Sequence, residues 1–314
     1  MDWCSGLTRG LLLRDRYYIK AEKVTPKNIF YLCKDKKNGN HVILRENKMN
    51  TPKAMRKYTV EHNIRSRLGQ HPYICNYTKH VDLIGSDSMI KNYYIFEVAK
   101  GSCLESFCKG AKHLFSEFSA LDITAQILLA LEYCEKKQVL HSDIKLDNIF
   151  LLSLPFTHTQ YERIDVMLGD FDCSVDLSQE HPLSQLIIRH GAPYYAGLEK
   201  LEHVYVQKEL LPRLDIWGLG ILLFIILVGH HPYDETDKLQ LKTQLVDSIL
   251  ITKLKFPSCI STEMQNLVQL MLTKDFRQRP GIQELMEIPI LAPHVQYRKR
   301  FIDVWESVTN EQTE

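Results

Sequence analysis

The chain has 314 residues, 45% of them hydrophobic and 25% charged, with 39 Lys+Arg against 38 Asp+Glu. That is globular composition with length for a large core, and its balanced charge excludes nucleic-acid or membrane-surface binding driven by bulk charge. Met1 to Gly6 holds no apolar run of the signal-peptide kind. The eight cysteines form no CxxC pair, which speaks against a zinc site and for free thiols of a reducing compartment.

Residues from about Tyr17 to Phe96 read as short strands around one helix. Tyr17-Tyr18-Ile19 is β-prone, and Ile29 to Cys33 is a second strand. Asn38-Gly39 is a strong hairpin signal, so His41 to Arg45 follows as the third strand. Pro52 opens a helix that runs to about Leu68, where Gly69-Gln70-His71-Pro72 stops it. Two more strands fit Tyr77 to Ile84 and Asn92 to Val98. From Ser119 the pattern changes. Ile123, Ile127, Ala130, Leu131 and Cys134 recur at helical spacing, which predicts an amphipathic helix over Leu121 to Lys137. Ile149 to Leu152 and Val166 to Leu168 read as short strands flanking a loop rich in Thr, His and Gln. Ile216 to Val228 is the most apolar stretch. It is too short to cross a bilayer and fits a buried helix, so no membrane span is expected. Met264, Leu267, Val268 and Met271 mark another helix, and the polar end from Thr309 to Glu314 is expected to fray. A β-rich part thus precedes a helical part, and a nucleotide-sized cleft falls at their junction, near Glu97 to Gly101.

Two short segments carry the chemistry. One is His141-Ser142-Asp143-Ile144-Lys145-Leu146-Asp147-Asn148, and the other is Leu168-Gly169-Asp170-Phe171-Asp172. Phosphoryl transfer needs an oriented hydroxyl, neutralised phosphate charge, and a divalent metal held by carboxylate and amide oxygens. Asp143 suits the first task, Lys145 the second, and Asn148 with Asp170 the third. An Asp or Asn in a loop is usually a turn or cap residue, so the ordered set is what counts.

The set resembles that of the eukaryotic protein kinases. His141 to Asn148 is similar to the HRDxxxxN catalytic loop and Asp170-Phe171-Asp172 to DFG. Gly191 to Glu199 is similar to the segment ending in APE, and Asp215-Ile216-Trp217-Gly218-Leu219-Gly220 to the buried DxWxxG helix. Arg279 sits where the family keeps an arginine paired with the APE glutamate, here Glu199. Lys145 is similar to the serine/threonine branch, and Leu168-Gly169-Asp170-Phe171 to apicomplexan rhoptry-type kinases.

The resemblance implies an α+β, bilobal protein-kinase fold in a single domain over roughly 17–290. A small β-rich N-lobe spans 1–97 and a larger, mainly helical C-lobe spans 98–314. It also implies ATP and Mg2+ as cofactors and Asp143 and Lys145 as catalytic residues. Asn148 and Asp170 become the metal ligands, and Arg45, Glu61, Glu97 and Val98 the nucleotide-binding set. The partner is a protein substrate or a regulated protein. The expected setting is the cytoplasm, or that of a secreted effector processed from a longer precursor.

The nucleotide-gripping half departs from the family pattern. Counting back from Gly39, the three glycines of the phosphate-covering loop fall on Lys23, Thr25 and Asn28, with Pro26 among them. Glycines let backbone N–H groups approach phosphates, whereas Pro26 donates none. The strand lysine falls on Arg45, which keeps the charge and can meet Glu61, but the exchange is not conservative at a tight site. Ile43 and Phe150 are bulky where the family faces adenine, and either presses on a ring or fills its cavity. Ser142 replaces the arginine that clamps a phosphorylated activation loop, so regulation by that route is not expected, although Ser174, Ser178 and Ser184 lie in that segment. Asp172 replaces the DFG glycine, and Ala192 replaces a loop threonine that touches the catalytic pair.

Two functions compete. One is an atypical serine/threonine kinase transferring the ATP γ-phosphate to protein hydroxyls. The other is a catalytically inactive pseudokinase acting as a scaffold or allosteric regulator.

Overall fold

Period-two alternation organises the N-terminal part, because one face of each strand must be buried. The computed structural model describes residues 12–13, 16–24, 28–47, 51–75, 77–84, 90–97, 103–110, 115–152, 164–178, 191–234 and 242–311. Cys4, Thr25, Pro26, Val98, Gly101, Ser184 and the loop 153–163 lie outside these described residues. Strands β1 (Leu12–Leu13), β2 (Tyr17–Val24), β3 (Asn28–Asp35), β4 (His41–Asn47), β5 (Tyr77–Ile84) and β6 (Ile90–Glu97) form an antiparallel sheet in the order β1-β2-β3-β4-β6-β5. On one face Val42 and Leu44 join Tyr17, Ile19, Tyr31, Cys33, Tyr93 and Ile95 in a core. Glu46 is buried there too, accepting from Tyr31 Oη at 3.0 Å and Tyr93 Oη at 3.1 Å. The opposite face therefore carries Ile43 and Arg45, whose register partners are Phe96 and Tyr94.

Helix α1 (Pro52–Leu68) starts on its proline and stops before Gly69, which takes φ +60°. Its inward stripe is Glu61, Ile64, Arg65 and Leu68. This helix sets Glu61 against Arg45 of the interior strand β4.

The C-terminal part is built on helices. They are α2 (Leu104–Gly110), α3 (Glu117–Lys136), α4 (Leu198–Leu201), α5 (Pro212–Val228), α6 (Lys242–Ile251), α7 (Thr262–Met271), α8 (Ile282–Met286) and α9 (Ala292–Glu311). Short strands β7 (Val139–Leu140), β8 (Ile149–Leu151), β9 (Val166–Leu168) and β10 (Val175–Asp176) hold the loops, with β7 paired to β10 and β8 to β9. Together the two parts make the bilobal α+β architecture implied by the sequence. The apolar run from Ile216 lies in α5, whose side chains are almost all buried against α3 and α7. Gly218 and Gly220 permit close packing, since a Cβ at Gly218 would meet Ile144 O at 3.0 Å and one at Gly220 would meet Leu272 at 2.9 Å.

Two elements differ from the sequence expectation. Helix α3 begins at Glu117, four residues before Leu121, because Ser116 Oγ caps it by accepting from Ser119 N at 3.2 Å. Glu117 is useful at that end: its carboxylate accepts from Ser261 N at 2.6 Å and Ser261 Oγ at 2.7 Å, tying α3 to the start of α7. The polar tail is helical to Glu311, in α9. That helix docks through Arg298, which donates from Nε to Asp122 Oδ1 at 3.0 Å and from Nη1 to Asp165 Oδ1 at 2.6 Å.

His71, just past α1, is buried at 5% exposure and stacks on Tyr133 at 4.5 Å between centroids. Its Nδ1 accepts from Tyr73 N at 3.2 Å, which requires an unprotonated nitrogen. Burial lowers its pKa to about 4, against the pull of Glu132 and with the help of Lys136. The unfolded chain then binds a proton between pH 6.5 and 4 that the folded chain refuses. Stability is whole above pH 6.5 and falls as pH drops through 4, by on the order of 3 kcal/mol from this site. Urea unfolding of His71→Asn across that range is expected to show a flatter pH dependence than the parent chain.

Candidate active site

The turn between β7 and β8 is fixed from below by α5. Asp215, fully enclosed, accepts from His141 N at 2.9 Å and Ser142 N at 2.7 Å. Ser142 is thereby held at φ +66°, a conformation unfavourable for a residue with a Cβ. His141 Nε2 lies 3.0 Å from Gly169 O, and its ring meets Phe171 edge-on at 4.8 Å. These contacts lock the two chemistry-bearing segments together. Gly169 has no room for a side chain, because a Cβ would sit 2.5 Å from the Phe150 ring.

Asp143 is the best-held carboxylate of the site. Lys145 Nζ donates to Oδ2 at 2.7 Å, and Ala192 N donates to Oδ1 at 2.7 Å. Asn148 Nδ2 donates to Asp143 O at 2.8 Å and to Oδ2 at 3.3 Å. Burial pushes the Asp143 carboxyl up, but the Lys145 ammonium and the Ala192 amide outweigh it and hold the group below its ordinary value. Asp143 is therefore ionised at neutral pH and aimed by three donors. Lys145 moves the other way, its pKa raised by Asp143 against the effect of burial.

Arg45 and Glu61 form the pair that the resemblance implies, with Nη2 to Oε1 at 2.6 Å and both side chains buried. Arg45 Nη1 also lies 3.6 Å from Asp170 Oδ1. Its guanidinium covers Tyr94 at 4.8 Å, so the flat arginine head stacks where a lysine has no plane to offer. Asp170 adopts φ +58°, and its side chain is 37% exposed although Oδ1 itself is buried. Burial and the neighbouring Asp172 raise the Asp170 pKa, and Arg45 opposes them.

The structure thus gathers Asp143, Lys145 and Asn148 in one cluster and Arg45, Glu61 and Asp170 in another. Glu97 ends β6 opposite Val42. Val98 lies outside the described residues, as do Thr25 and Pro26. Lys23 and Asn28 belong to paired strands, joined to Phe30 and Asn47, and the β2–β3 ladder closes at Val24 and Ile29. Ile43 and Phe150 are each part-exposed, so neither is sealed in the core.

Four features escaped the sequence reading. Arg65, one turn after Glu61, donates from Nε to the same Oε1 at 2.8 Å and stacks over Phe171 at 5.2 Å. Its signal was the i,i+4 spacing. Ala192 contributes through its backbone, which no side-chain motif reveals. Lys200 reaches the catalytic loop from α4, with no local signal. Asp143, Asp172 and Cys173 bring ligand-type atoms within 4.8 Å of one another, although both Asp143 oxygens are already engaged. The Glu199–Arg279 pair forms as the motifs imply, with Nη1 to Oε1 at 2.7 Å and Nη2 to Oε2 at 3.2 Å.

A family model described as a protein kinase domain matches residues 28–291. The chain is similar to the probable serine/threonine-protein kinase nek3 of Dictyostelium discoideum, 29% identical over 223 residues, covering 69% of this chain and 19% of that protein. It is similar to the serine/threonine-protein kinase Nek4 of Mus musculus, 24% identical over 267 residues, covering 84% and 31%. The SNF-related serine/threonine-protein kinase of Homo sapiens is 28% identical over 225 residues, covering 72% and 26%. The matched region is less than half the length of each of these relatives.

Proposed function

The chain belongs to the protein kinase family, and from that premise we propose that it is an atypical serine/threonine protein kinase using ATP and a divalent ion. The observation that carries the reading is the Asp143 carboxylate, ionised and held from three sides by Lys145, Ala192 N–H and Asn148. A buried charge so closely held is costly unless it is used or structurally required.

The donor set fits the cofactors. Asp170 Oδ1 is buried and makes no hydrogen bond, with Arg45 Nη1 3.6 Å away. Asn148 spends its Nδ2 on Asp143, which turns its amide oxygen away from that carboxylate. Two such oxygens are hard ligands suited to magnesium or manganese. When bound, the metal nucleotide supplies the transferable phosphoryl group and neutralises part of its charge. Asp143 orients the acceptor hydroxyl and takes up its proton. Lys145, charged and beside Asp143, faces the developing negative charge. Glu61, braced by Arg65, holds Arg45 toward the phosphate side. Ile43 and Phe150, part-exposed, would border the base, with Glu97 at the end of β6 beside it.

One observation favours the inactive alternative. Arg45 already touches carboxylates on both sides, Glu61 and Asp170. The experiment is incubation with γ-labelled ATP and magnesium or manganese, followed by phosphoamino-acid analysis. Label on serine or threonine of a protein acceptor is expected. A chain that labels neither itself nor any general acceptor is a binding module.

A further inference from the structure

Lys200 is a charged side chain that the proposed chemistry does not use. It lies on α4, yet its Nζ turns in to donate to Ser142 O at 2.7 Å and to Ser142 Oγ at 3.2 Å. Burial lowers the amine's pKa, while Asp215, Asp143, Cys173 and Glu199 pull it back up. An ammonium leaves water only for good partners, and here they are a carbonyl on a positive-φ residue and an anionic surround.

The chain around it is packed to contact. Gly191, at φ +99°, has no space for a side chain: a Cβ there would lie 2.3 Å from Ser142 O, 2.9 Å from Lys200 Nζ and 3.2 Å from Asp143 Oδ1. The next residue is Ala192, whose N–H holds Asp143. Two parts of one segment, the backbone at 191–192 and the α4 amine, therefore meet the distant catalytic loop at one point. Ser142 is too short to fill this seat, and Lys200 fills it.

We propose that Lys200 is a positioning residue whose ammonium docks the 191–200 segment onto the catalytic loop, keeping Ala192 N–H on Asp143 with a charge built into the chain. No phosphate on the segment is then required. Docking is a property of the backbone whether or not Asp143 turns over a substrate, so the test reads amide exchange and stability.

The variants are Lys200→Met, Ser142→Arg and the double S142R/K200M. In K200M the Ala192 amide is expected to exchange about tenfold faster or more, the scale of a lost charge-assisted hydrogen bond, with α5 amides unchanged. S142R alone places two cations in one seat and lowers Tm. The double variant supplies the cation from position 142 and restores Tm and Ala192 protection toward the parent values. Parent-like exchange in K200M overturns the proposal, as does equal loosening of α5 or a double variant no better than S142R. If K200M does not fold, the double decides alone: folded upholds the docking role, unfolded overturns it.

Discussion

Asp143→Asn is expected to lower phosphate transfer from ATP by about 10²–10⁴-fold, the usual range for a lost catalytic base. Asparagine has the same shape, so the loop keeps its anchors to Asp215 and Gly169. What changes is the donor count around position 143. Lys145 Nζ, Ala192 N and Asn148 Nδ2 all point at the carboxylate. One amide oxygen satisfies the Ala192 side or the Lys145 side, not both. The cost in stability is that of about one charge-assisted hydrogen bond, and Tm is expected to fall by no more than about 5 °C. Initial rates with labelled ATP, alongside thermal melts, separate the two effects. Transfer that persists at the parent rate removes Asp143 from the chemistry.

The largest stability effect is expected at Arg279. It has 0% exposure, forks onto both Glu199 oxygens, donates from Nη1 to Arg213 O at 2.8 Å and from Nε to Thr273 O at 3.1 Å, and stacks over Trp217 at 4.8 Å. Arg279→Met leaves Glu199 as a buried carboxylate and strips two carbonyls of their donor. The expected loss is about 3–5 kcal/mol, the range for breaking a buried ion pair from one side. Arg279→Lys does not rescue it, because an ammonium has no fork to span both oxygens. Removing the charge as well, in R279M/E199Q, recovers part of the loss, since the orphaned anion is the costly element. Urea titration of the three variants reads this directly. Equal losses in R279M and the double variant show that packing, not charge, dominates the site.

Much of the fold and part of the site were legible because their information is local. The segments at 141–148 and 168–172 carry their residues within a few positions, and the folded loops keep that order. Arg45 meeting Glu61 follows from the motif register counted from Gly39, and the folded strand and helix keep it. What could not be read were contacts made by backbone or by residues without a motif. Ala192 shows only a small side chain in sequence, yet its N–H does what a longer side chain was expected to do. Lys200 spans 58 positions to Ser142, and its role exists only once α4 is laid over the loop. The start of α3 was missed for a different reason: Ser116 and Glu117 look polar and loop-like, and only the cap and the Ser261 contact make them helical. Arg298 likewise gives α9 its place through Asp122 and Asp165, far away in sequence.

Phosphoryl transfer by this chain requires the catalytic set to receive a metal nucleotide despite Lys23, Thr25 and Asn28 in place of glycines. Calorimetric titration of ATP into the parent chain and Asp170→Asn, with magnesium, with manganese and with a chelator, tests this most directly. Saturable binding that requires the metal and is lost in Asp170→Asn is the predicted result. Absence of binding with either metal, or equal binding in the chelator, contradicts it and leaves the pseudokinase reading.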